Sequence, residues 1–189
     1  MSTPVTPKVK VATVWLDGCS GCHMSFLDLD ERLLVLAEKI DLVCSPVVDP
    51  KEFPADVDVT LVEGAVSSDH DLHKALLVRQ RSKLVISLGD CAVTGNVPSM
   101  RNPFQREELF ERAYLENGTW PPTVEARKKN LPVIGVPALL EKARPLHEVI
   151  KVDLFIPGCP PPADAIFYIL TQLLEGKTPN VSEVTRFGR

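Results

Sequence analysis

At 189 residues and 44% hydrophobic content, the chain can bury one substantial core but has little left to build a second. A formal charge of −4 argues against nucleic acid as the main partner, and no apolar run reaches the length that would span a bilayer. Five cysteines, behind an N-terminus that lacks a charged and then apolar leader, point to the cytoplasm and to metal or redox use instead of structural disulfides.

The elements follow one another simply. After a tail over residues 1–7, the β-branched run Val9, Val11, Val14 predicts a strand over residues 8–16. It leads into Asp17-Gly18-Cys19-Ser20-Gly21-Cys22-His23. Phe26, Leu29, Leu33, Leu36 and Ile40 then recur at intervals of three and four, which predicts one helix with a single buried side. A strand is expected over residues 41–48, with Cys44 inside it as a small core residue. A third strand is expected over residues 57–62, ending at Glu63-Gly64.

Ser67-Ser68-Asp69 reads as a helix N-cap. The helix it opens should turn Leu72, Ala75 and Leu76 inward and finish on the basic residues Arg79, Arg81 and Lys83. Residues 84–88 form a near-continuous apolar strand, as in a sheet covered on both faces, and run into Gly89-Asp90-Cys91. Residues 94–132 form an irregular excursion with a short helix over 105–116 and a turn carrying Trp120, which is expected chiefly to fold back on the core and secondarily to anchor a partner.

A short strand is expected over 131–136, then a helix through Leu139, Leu140, Ala143, Leu146 and Val149, broken at Pro145. The last strand, 152–156, delivers Gly158-Cys159-Pro160-Pro161-Pro162 to a closing helix that carries Ile166, Ile169, Leu170 and Leu173 and stops near Gly176. Residues 179–189 read as a tail. Strands alternating with helices predict one α/β domain over 8–178, with a doubly wound, mainly parallel sheet whose ligands gather at the carboxyl ends of its strands.

Cys19 and Cys22 follow the first strand, Cys91 follows the 84–88 strand, and Cys159 follows the last one. All four therefore leave the same edge of the sheet. Gly18, Gly21, Gly89 and Gly158 adjoin them and can offer backbone N–H groups to sulfur. Four thiolates could hold one zinc ion or one iron–sulfur cubane. With one C-x-x-C knuckle and two distant, solitary ligands, the pattern favours the larger cluster. A thioredoxin-like dithiol would leave Cys91 and Cys159 without a use.

At these motifs, together with Glu63-Gly64-Ala65-Val66 and Gly89-Asp90-Cys91-Ala92-Val93-Thr94-Gly95-Asn96-Val97-Pro98, the sequence resembles the small subunit of nickel–iron hydrogenases. The similarity is greatest to the short form in cytoplasmic, NAD-reducing (bidirectional) enzymes, and it covers nearly the whole chain. The resemblance implies a flavodoxin-like fold and one proximal [4Fe–4S] cluster on Cys19, Cys22, Cys91 and Cys159. It also implies partners: a large subunit with the Ni–Fe centre, where the catalytic residues lie, and diaphorase subunits carrying FMN, NAD and further Fe–S clusters. The expected role is electron relay in hydrogen:NAD⁺ oxidoreduction, with no turnover by the isolated chain.

The departures from the family pattern bear on these expectations. No cysteine follows Cys159, so the clusters that longer members hold in a C-terminal extension are not expected. A twin-arginine leader, found in exported members, is missing. Gly18, preceded by Asp17, stands where many members carry Glu. The quinone-reducing respiratory subunit has adjacent cysteines in the first motif, unlike Cys19-Ser20-Gly21-Cys22.

Other residues carry weaker expectations. Glu63 reads chiefly as a cap for the segment that follows it, and secondarily as a neighbour of the cluster. His23 could form a hydrogen bond near the sulfurs, while His70, His73 and His147 should be solvated. FMN is not expected in this chain, because cysteines occupy the turn where a phosphate loop would lie.

Overall fold

The computed structural model describes residues 7–129, 131–132 and 134–187. Its main sheet contains β1 (Val9–Trp15), β2 (Ile40–Cys44), β3 (Val57–Glu63), β5 (Ser82–Leu88) and β7 (Leu154–Ile156). All pairings are parallel, and the order is β2-β1-β3-β5-β7. The short strands β4 (Val66–Ser68) and β6 (Leu139–Arg144) pair antiparallel in a separate ribbon. Without that ribbon the order is the doubly wound 2-1-3-4-5 arrangement, whose direction of winding reverses at β1 and β3.

Alternation along the strands supplies two cores. Val11, Leu61, Ile86 and Ile156 face α1 (Gly21–Leu27), α2 (Arg32–Ala37) and the closing helix Ala163–Leu174. Ala12, Val14, Val62 and Val85 face α3 (Asp69–Arg81) and a 3₁₀ turn at Leu146–Glu148. Cys44 is 7% exposed and belongs to this second core, as a small apolar residue should. Among the described residues no helix is long and apolar enough to cross a membrane.

Several elements depart from their sequence-based expectation. The single helix expected after Cys22 is two, because Asp30 takes a positive φ of 50° between them, and Ile40 opens β2. Leu76 points outward at 52% exposure, and Val78 takes its place inside beside Ala75. No strand forms at the described residues of 131–136; Val133 lies outside them. The segment expected to be a helix after Pro137 is β6, stitched to β4 across about seventy residues of chain.

After α4 (Asp90–Thr94) the excursion holds α5 (Asn96–Ser99), α6 (Arg106–Phe110), a π-helical stretch Glu111–Glu116 and α7 (Val124–Lys129). Asn102 fastens its early part to the ribbon. Its Nδ2 donates to Ala143 O at 2.8 Å and its Oδ1 accepts from Ala143 N at 2.8 Å. Trp120 is 82% exposed instead of folding onto the core.

Caps hold α3 at both ends. Ser68 Oγ accepts from Asp71 N at 3.1 Å while Asp71 Oδ2 accepts from Ser68 N at 3.0 Å, a capping box. At the other end the Arg79 guanidinium donates to the carbonyls of Ser82, Lys83 and Lys151 and to Asp153. The closing helix, α8, is followed by α9 (Val181–Val184), whose Val181 and Val184 pack on the first core.

Candidate metal centre

The four cysteines that leave the carboxyl edge in the sequence pattern also meet there. Cys22 sits in the first turn of α1, directly after β1, and Cys91 in the first turn of α4, directly after β5. Cys159 follows β7, and Cys19 precedes α1. Cys22 lies within the electrostatic reach of Cys19, Cys91 and Cys159, and Cys91 within that of Cys19 and Cys159. Asn96 Nδ2 stands 3.6 Å from Cys159 Sγ and 3.9 Å from Cys91 Sγ. Those two sulfurs can therefore be no farther apart than the two distances laid end to end.

The backbone around the sulfurs is shaped by close approach. Gly64 has φ +88°, and a Cβ there would come within 2.7 Å of Leu16 C. Its absence lets the turn after β1 lie on the turn after β3, where Asp17 and Ala65 exchange hydrogen bonds of 3.0 and 2.7 Å. The loops after β5 and β7 are joined in the same way. Asp90 N donates to Gly158 O at 2.9 Å, and Gly158 N donates to Asp90 Oδ1 at 2.7 Å. Ser25 Oγ donates to Pro161 O, tying α1 to the Cys159 loop.

Glu63 proves to be a neighbour of the sulfurs and not a cap of the segment after it. It ends β3 at 2% exposure, and its Oε2 accepts the His23 backbone N–H at 2.8 Å, in the first turn of α1 beside Cys22. His23 is buried too: Nδ1 lies 3.0 Å from Glu63 Oε2, off the line of a hydrogen bond, and Nε2 lies 2.9 Å from Thr13 Oγ1. Thr13 Oγ1 in turn donates to Ser45 Oγ at 2.7 Å. This string ends at a cleft of about 550 Å³ between the 45–53 loop and α3, which His70 and His73 line and the four cysteines do not. His147 is exposed and packs edge-on against Phe155.

Two of the thiols, Cys22 and Cys91, are held in the protonated form. Burial pushes Cys22 far above its ordinary value, and Glu63 and the other three sulfurs push it the same way. Burial raises Cys91 as well, against donors from Asn96 and the Val97 backbone. Such a site needs a cation to draw the protons off. Cys19 and Cys159 are exposed, and Cys22 and Cys91 half-buried, so the site reaches the surface on its Cys19 and Cys159 side.

The donor set suits an iron–sulfur group. It is all thiol, it stands on three separate loops, and backbone and amide N–H groups are aimed at its sulfurs. Among the described residues no three His, Cys, Asp or Glu side chains close around a single metal ion. The four cysteines that the sequence pattern places at one edge come together there; Asn96 was missed, although Gly-Asn one helical turn beyond Cys91 was its signal.

Residues 19–173 match the model of the family described as NADH ubiquinone oxidoreductase, 20 Kd subunit. The chain is 42% identical, over 184 residues, to the NAD-reducing hydrogenase HoxS subunit delta of Cupriavidus necator, covering 93% of this chain and 87% of that one. It is 39% identical to a subunit of the vhu F420-non-reducing hydrogenase of Methanocaldococcus jannaschii, covering 94% of this chain but only 60% of the relative's length. Its fold superposes with a TM-score of 0.88 and 35% identity on a chain of a crystal structure of an NAD⁺-reducing [NiFe]-hydrogenase in the H2-reduced state, covering 96% of this chain and 99% of that one.

Proposed function

Because the chain belongs to the NADH ubiquinone oxidoreductase 20 Kd subunit family, and within it lies close to hydrogenase subunits, we propose that it is the electron-transfer small subunit of a cytoplasmic nickel–iron hydrogenase. In this reading Cys19, Cys22, Cys91 and Cys159 hold one proximal [4Fe–4S] cluster. Bound there, that group supplies one-electron redox chemistry at a potential that its hydrogen bonds and exposure set. The relay connects a Ni–Fe site on a large subunit with a diaphorase module carrying FMN, NAD and further Fe–S clusters, so hydrogen oxidation is coupled reversibly to NAD⁺ reduction. The chain by itself does not turn over.

The observation that carries this reading is the convergence of four thiols from three loops at the carboxyl edge of the sheet. The chain's own residues have three tasks. The loop-to-loop hydrogen bonds of Asp90 and Gly158 hold two ligand loops in register. Glu63 and His23 fix the start of α1 and so the place of Cys22. The exposure of Cys19 and Cys159 leaves one side of the site open to a partner, which shortens the path between centres on different chains.

Purification of the native complex without oxygen tests the proposal. Iron and acid-labile sulfide near four each per small subunit, together with a co-eluting nickel-containing chain, are the expected result. One zinc and no sulfide would overturn it.

A further inference from the structure

Asn96 stands in an unusual place. It follows Gly95, at φ +85°, and itself has φ +31°, a region most side chains avoid and Asn tolerates best. These two residues turn the chain between α4 and α5 instead of continuing one helix. The new direction is pinned locally: Gly95 N donates to Cys91 O at 3.0 Å and Ser99 Oγ to Asn96 O at 2.7 Å. The outcome is that the Asn96 amide comes back over the sulfurs, 3.6 Å from Cys159 and 3.9 Å from Cys91.

The two sulfurs belong to different loops and different strands, β7 and β5. A thiolate accepts hydrogen bonds and cannot donate, so the amide turns its NH₂ toward the pair. One NH₂ carries two protons, enough for one bond to each sulfur. The neighbouring Val97 backbone also donates to Cys91, so residues 96–97 form a small donor surface over this half of the site.

We propose that Asn96 is a tuning residue: its side-chain amide bridges Cys91 and Cys159 and raises the reduction potential of the group that the four cysteines hold. The inference rests on the cluster assignment above. Its physical basis is charge. Adding one electron puts more negative charge on the sulfurs, and donors aimed at them stabilise the reduced form more than the oxidised one. Loss of the bridge therefore makes reduction harder. A carboxylate at the same place makes it harder still, by repulsion.

The test uses the assembled complex, titrated with dithionite and followed by the electron paramagnetic resonance signal of the reduced cluster. Asn96→Gly keeps the left-handed backbone without strain and removes the donor. Asn96→Asp keeps the shape and replaces the donor with an acceptor. The expected result is a severalfold fall in the reduced-to-oxidised ratio at the unaltered midpoint for the Gly variant. For the Asp variant the fall should be about tenfold, or about 59 mV for a one-electron couple. Iron content should stay unchanged in both.

An unmoved midpoint in both variants, with iron retained, would overturn the proposal. Loss of iron from both would overturn it too, because Asn96 would then serve assembly and not potential. Absence of a four-iron cluster from the unaltered complex is a different result, and it would remove the underlying site assignment first.

Discussion

A methyl group on Gly89 would lie 2.2 Å from the Sγ of Cys22. Two residues that are 67 positions apart in sequence thus share one volume, and the cysteine fits only because the glycine has no side chain. Gly89 also has φ +80°, which an L side chain rarely adopts. Gly89→Ala should displace Cys22 and destabilise the chain by about 1–3 kcal/mol from backbone strain alone. Iron analysis and a urea midpoint check this; normal iron at normal stability would contradict the geometry.

The five cysteines should separate into two groups on substitution. Ser in place of Cys19, Cys22, Cys91 or Cys159 should reduce or abolish the visible iron–sulfur absorbance of the complex. Cys44→Ala should leave the absorbance intact, since Cys44 lies in the core on the α3 face. The cost there is a small cavity, about 1 kcal/mol of stability.

Glu63 joins β3 to the start of α1 through the His23 N–H. Glu63→Ala leaves that donor buried without its acceptor, at a cost of about 1–3 kcal/mol. Glu63→Gln retains an acceptor oxygen and should recover most of the loss. Chemical denaturation of the three proteins side by side measures the difference; an Ala variant as stable as the parent would show that the bond contributes nothing.

Asp153 supplies an acid-sensitive contact at the foot of β7. Burial pulls its carboxyl upward, but the Val85 N–H, the Arg79 guanidinium and Lys151 outweigh this and hold it below its ordinary value. A carboxylate depressed in the folded state stabilises the fold above the unfolded carboxylate range. That contribution is lost as pH falls through the lower, folded value. Asp153→Asn should cost about 1–2 kcal/mol at neutral pH. The gap to the parent should narrow below about pH 4, as urea midpoints at pH 7 and pH 3 will show.

The parallel sheet and the gathering of four cysteines at one of its edges were legible because their signals are local. Residues 84–88 are apolar but for Ser87, and Cys19, Cys22, Cys91 and Cys159 each sit a few residues beyond a strand. Ser68 announced its N-cap in the same way. The errors arose where distant chain decides the outcome. Leu139, Leu140 and Ala143 have helical spacing, yet pairing with Val66–Ser68 makes them a strand, and no local pattern carries that pairing. The split between α1 and α2 turns on one positive φ at Asp30, which leaves the apolar spacing around it unchanged. Glu63 meets its partner on another element, so its neighbours in sequence do not reveal its role.

The paired hydrogen bonds between Asp90 and Gly158 have a dynamic implication. Two turns joined by a reciprocal pair of hydrogen bonds have less freedom to relax separately. Surroundings that hold their shape while charge comes and goes present a low reorganisation barrier. For the cluster proposed on Cys19, Cys22, Cys91 and Cys159, such surroundings would keep nearly the same geometry in both redox states.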